Sequence, residues 1–260
     1  MMRFFFARSL LAALLWAGVS TPLQAAGTLT LCFENKMLMP WHSAERDGLN
    51  FELFKRVEAK LELTFVYETL PWKRCLARLK ANEVDGAFAV SFSEDRRQFG
   101  AFPGNEQPDV KKRMQYARYF LVRKKGSSID WDGKRFASVD GKIAFQLGYS
   151  IGELLNAHKV AVDESSDPPF TVGRKLVAGM IAGAAMMDSD VSTLMRTPLA
   201  PQLEVVATPL TEKAYYLILS NELVKAKPEL AEQIWKAIEE VRNSKEYGKL
   251  VQAAGVENAR

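Results

Sequence analysis

Ser91 and Arg96 stand five residues apart in SFSEDRRQFG, residues 91 to 100. Together they could hold an anion, because a hydroxyl supplies one donor and a guanidinium presents a rigid fork matching a carboxylate at two points. The segment reads as a strand running into a helix, with Ser93 as N-cap and Glu94 and Asp95 in the first turn. A helix start carries partial positive charge, so Arg96 and Arg97 act against the helix dipole there unless something negative joins them. A surface arginine paired with a neighbouring acid is the other reading of this spacing.

Two further places could meet the same ligand. LGYSIGE puts a glycine turn before Tyr149 and Ser150, with Glu153 three residues after the serine, the pattern of a capping box. The free N–H groups of that helix start could add donors to a carboxylate. Asp188 closes the strand-like AAMMD, where an acid could take an ammonium group, or could serve as a loop aspartate or a cap.

Strands and helices alternate around these residues. TLTLCF (28–33), LTFVYE (63–68) and VDGAFAVS (84–91) read as strands. Between them lie one helix with Leu49, Leu53, Phe54, Val57 and Leu61 at helical spacing and another opened by Pro71. KIAFQLG (142–148), VAVDE (160–164) and AAMMD (184–188) repeat the order, with helices predicted from Tyr149 and over 173–183. Residues 100–114, with two prolines and two glycines, read as an extended loop. KAYYLILS (213–220) is a strand, and helices are predicted from Pro228 to about Ser244 and from Lys245 to Ala253.

Two β-α-β-α-β units point to an α/β fold of two lobes, each a mostly parallel sheet flanked by helices, with ligands collecting at strand carboxyl ends. The closing strand and helices have no sheet of their own and are expected to return to the first lobe, giving two interlobe crossings. The expected division is 27–116 for the first part of lobe one, 117–213 for lobe two and 214–260 for the return.

Residues 1–26 read as a cleavable secretory signal: Arg3 and Arg8, an apolar run from Leu10 to Val19, then the small residues of LQAA. Without Arg3 and Arg8 the chain has 33 basic against 31 acidic residues, which gives no reason to expect a polyanion partner. The clusters KKR (111–113) and RKK (123–125) read as solvated surface. In an exported chain Cys32 and Cys75 could pair or remain two buried thiols. Neither they nor His42 and His158 have the spacing of a metal site, and no cofactor is expected.

The order PWKRCLARLKANEVDGAFAVSFSEDRRQFGAFP, then GYSIGELL, AAMMDSD and PLTEKAYYLILS with PELAEQIWKAIEEVRNSKEYGKLV, resembles the family-three periplasmic solute-binding proteins, the amino-acid-binding components of ABC importers. The resemblance covers nearly all of the chain after residue 26. It implies that Ser91, Arg96 and the helix start at Tyr149 and Ser150 bind a ligand carboxylate, and that Asp188 binds its amino group. It also implies that Trp41 and Trp72 flank the side chain and that Glu34 lies nearby. Phe88 and Ala89 depart from the pattern, standing where polar residues often hold the ligand. The implied protein is a periplasmic monomer that closes on an amino acid or similar small carboxylate and is recognised by a membrane permease.

Two other functions stay open. Some relatives are dehydratases acting on small carboxylic acids, for which Glu34, His42 or Asp188 could supply protons, although no nucleophile–base arrangement is visible. A ligand-sensing periplasmic protein is the other.

Overall fold

The computed structural model describes residues 27–104 and 106–256; the signal segment 1–26 lies outside the described residues. The first unit runs β1 (Thr28–Glu34), α1 (Leu49–Leu61), β2 (Thr64–Leu70), α2 (Trp72–Lys80) and β3 (Gly86–Ser91). A strand absent from the sequence reading comes next, β4 (Gln115–Lys124), and then a short hairpin of β5 (Asp130–Trp131) and β6 (Phe136–Ala137). The second unit is β7 (Ile143–Gln146), α3 (Ile151–Ala157), β8 (Val162–Ser165), α4 (Pro169–Val177), β9 (Gly183–Met187) and α5 (Asp188–Leu194). The chain closes through β10 (Leu203–Val205), β11 (Thr211–Leu219), α6 (Asn221–Ala226), α7 (Pro228–Arg242) and α8 (Lys245–Ala253).

All strands except the hairpin join one sheet in the order β2-β1-β3-β11-β4-β9-β7-β8, with β10 on β4. Pairing is parallel in β2-β1-β3 and in β9-β7-β8. It is antiparallel where β11 meets β3 and β4, and where β4 meets β9. The protein is therefore a two-lobed α/β molecule whose parallel halves are joined by β4 and β11, the two crossings. Helices α7 and α8 pack against α1 in the first lobe, their Ile234, Ile238 and Tyr247 sharing one core with Leu53, Phe54 and Val57. Cys32 of β1 and Cys75 of α2 form a disulfide with their Cα atoms 5.6 Å apart.

Several local expectations are corrected. The helix opened by Ser93 is a single 3₁₀ turn, Glu94–Gln98. The helix read over 173–183 occupies Pro169–Val177 and stops at Gly179, whose φ of +69° breaks the turn. Gly173 is tolerated in it because a Cβ would come within 2.6 Å of Leu194 Cδ1. The basic clusters are not simply solvated: Arg113 is buried over the Tyr116 ring, and Arg123 donates to the Ile129 carbonyl and pairs with Glu204.

Candidate functional site

Strand β3 delivers Ser91 through an irregularity. Its pairing with β11 shifts register between Tyr216 and Ile218, and opposite that shift Ala89 adopts a left-handed φ of +57°. Such a bulge bends the strand and re-aims the residues beyond it. The 3₁₀ turn then folds Arg96 back over the strand end, where it is buried with Ser91. Arg96 Nη1 donates to the Ser91 carbonyl at 2.8 Å and to Ser91 Oγ at 2.7 Å, Nη2 donates to the Gly148 carbonyl at 3.0 Å, and the group lies over the Trp72 ring. Among the described residues no acid pairs with Arg96, which is 6% exposed, so a buried cation is met only by neutral acceptors. Burial accordingly lowers its pKa.

From the other lobe, Ser150 places its hydroxyl 2.8 Å from that of Ser91. It does not cap α3, because its backbone is already helical and the hydroxyl is turned across the cleft. Lys213, on β11, donates to Ser150 Oγ at 2.9 Å and to its carbonyl at 3.1 Å, with Glu153 at 3.8 Å. Tyr149 donates from its hydroxyl to Glu34 Oε2 at 2.5 Å. Burial pushes the Glu34 carboxyl above its usual range, against the pull of Lys36 and of the Tyr149 hydroxyl. Lys36 also reaches across, to Asp190 at 2.8 Å and to Gln146 at 3.2 Å.

Arg96, Ser91, Tyr149, Trp72 and Glu34 line one cavity, and Ser150 adjoins it through Ser91. Tyr119 and Tyr215, whose hydroxyls are 3.0 Å apart, complete the wall from the two crossing strands. Its volume is about 20 Å³, the room of one water molecule. Hydrogen bonds from Ser91 to Ser150, from Arg96 to the Gly148 carbonyl and from Tyr149 to Glu34 bridge the lobes across it.

Asp188 and Trp41 are not brought to this cavity; they border a separate groove with Arg118. Asp188 opens α5 on the β4 side, and its carboxylate accepts the Arg118 N–H at 3.2 Å and the Ser189 N–H at 2.9 Å. Two residues on, Asp190 is the acid turned to Lys36. Trp41 is 4% exposed and packs in the first-lobe core, because its loop folds over the start of α1: Leu49 and Asn50 N–H groups donate to the Pro40 and Trp41 carbonyls. Lys36, Asp190, Lys213 and Tyr215 were missed by sequence reasoning. The alternation of Lys213 and Tyr215 along one strand put them on a common face, but nothing in the sequence said which face met the cleft.

A family model described as bacterial extracellular solute-binding proteins, family 3, matches residues 35–255. The chain belongs to that family. No curated sequence matches this solute-binding protein. Among solved structures it is similar to an ancestral arginine-binding protein bound to glutamine, at 19% identity and a TM-score of 0.67, over 89% of this chain and 99% of that one. It is also similar to a substrate-binding protein of an ABC uptake transporter from Streptococcus pneumoniae with bound histidine, at 17% identity and a TM-score of 0.69, covering 89% and 94%. A histidine kinase sensor domain with similarity to periplasmic binding proteins matches at 16% identity and a TM-score of 0.70, covering 88% and 96%. At these identities the likenesses establish the fold, and the family establishes solute binding.

Proposed function

We propose that this solute-binding protein is exported to the periplasm behind the signal 1–26 and captures an amino acid or similar small carboxylate between its lobes. The ligand carboxylate meets Arg96 with Ser91 and Ser150, and its ammonium meets Glu34 beside Tyr149, with Trp72 along its flank. The lobes divide at 116/117 and 213/214, positions that face one another in the pairing of β4 with β11. The observation that carries the reading is the buried Arg96 guanidinium, which has neutral acceptors and no acid. An isolated buried charge is costly, and an incoming carboxylate removes that penalty. Ligand bound to both walls stabilises the closed arrangement by differential affinity. The loaded form is then handed to the permease of an ABC transporter.

A thermal-shift screen over amino acids and small carboxylates tests this reading, since a ligand of the native state raises the melting temperature. A hit whose affinity falls at least about tenfold in Arg96→Ala supports it; unchanged affinity removes Arg96 from the site. The likeness to a kinase sensor domain favours a second reading, in which the same closure reports the ligand to a membrane partner.

A further inference from the structure

His42 lies in the loop between β1 and α1 and is 1% exposed. It lines the same cavity as Arg96, beside Phe88, whose ring it meets edge-on at 5.7 Å. Its Nδ1 is 3.4 Å from the Asn50 side-chain nitrogen. With the Asn50 nitrogen as donor, Nδ1 is the acceptor and a neutral ring carries its proton on Nε2. His42 is itself part of the cavity wall, and among the described residues its Nε2 has no protein partner. Trp72, in the same wall, carries a second buried N–H without a partner, and an indole nitrogen is a donor only.

Buried donors are nearly always satisfied, and an unsatisfied one is costly. Hydrophobic packing alone does not account for a histidine beside Phe33 and Phe88, because the ring brings in a polar edge that this packing leaves unpaired. We infer that His42 is a specificity determinant reading the ligand's side chain beside Phe88, and that the ligand class is an amino acid or small carboxylate whose side chain carries an oxygen acceptor rather than ending in hydrocarbon. This rests on the proposed function and adds to it the polarity of the ligand's side chain.

Matched pairs test it: asparagine against leucine, and O-methylserine against norvaline, each similar in shape and differing in the acceptor. In calorimetry the wild type is expected to bind the better acceptor member at least about tenfold more tightly than its partner. His42→Phe should bring that ratio close to one, and His42→Gln, which keeps a donor, should restore most of it. Equal binding within both pairs, or a ratio unchanged in a folded His42→Phe protein, overturns the inference and leaves the binding reading intact. No binding of any of the four, together with a blank amino-acid and carboxylate screen, overturns both.

Discussion

Ser91 and Ser150 are hydrogen-bonded to each other at 2.8 Å from opposite lobes, and each hydroxyl also receives a cation: Arg96 on the Ser91 side and Lys213 on the Ser150 side. The cleft is therefore more positive at this point than Arg96 alone would make it. Glu153, the acid near Lys213, is 3.8 Å away and half exposed. Lys213→Met is expected to weaken a carboxylate ligand by a factor of about three to ten, less than loss of Arg96, and to flatten the salt dependence of binding. Titrations at two ionic strengths check it; unaltered affinity and salt response would show that Lys213 only fastens α3.

Arg96 uses both terminal nitrogens of its fork, toward Ser91 and toward Gly148. An ammonium cannot span these two directions from one stem. Arg96→Lys should keep the charge and still lose affinity by about tenfold. Binding close to wild type in the lysine variant would mean that charge, not geometry, is what the ligand needs.

The Cys32–Cys75 disulfide closes a loop of 43 residues and ties α2, which carries Trp72, to β1, which carries Glu34. By loop entropy its loss costs up to about 4 kcal/mol. A Cys32→Ala/Cys75→Ala variant should unfold at clearly lower denaturant concentration than the oxidised protein, and reductant should leave the variant unmoved. Equal midpoints would show that the cross-link is dispensable.

Stability should also report His42. Burial lowers its pKa from 6.5 to about 4, so between those values the unfolded chain binds a proton that the folded protein refuses. Stability contributed by the neutral ring is fully present above about pH 6.5 and is lost as pH falls toward 4, by about 3 kcal/mol. Glu34 acts in the opposite sense, because its raised pKa favours the folded state at low pH. Comparing wild type with His42→Gln isolates the first effect: denaturant midpoints should fall more steeply from pH 6.5 to pH 4 in the wild type. Parallel profiles would contradict the burial of a neutral ring.

Much of the fold was legible because apolar spacing and turn residues are local. Both β-α-β-α-β units and the final two helices can be read from periodicity. Strand β4 is absent from that reading although its Tyr116, Tyr119, Phe120 and Val122 favour a strand; its place between β11 and β9 is what the sequence does not announce. At the site, Arg96 and Ser91 share a short segment and are put forward together by it; their burial follows from the 3₁₀ turn folding back over β3. Asp188 against Asp190 was not: which of two acids faces the cleft depends on how α5 leaves β9, and backbone N–H groups claim the first. Trp41 lies away from the cavity for a similar reason, its loop being folded onto α1 by backbone bonds that no side-chain pattern announces.

One sheet threads both lobes, and its middle strands belong to neither alone: β11 holds β3 on one edge and β4 on the other. Severing the polypeptide at either crossing would leave each fragment with an unpaired strand edge, so the halves should not survive as separately expressed pieces. Whatever bending accompanies capture is borne by ladder bonds between strands, and not by a slack tether.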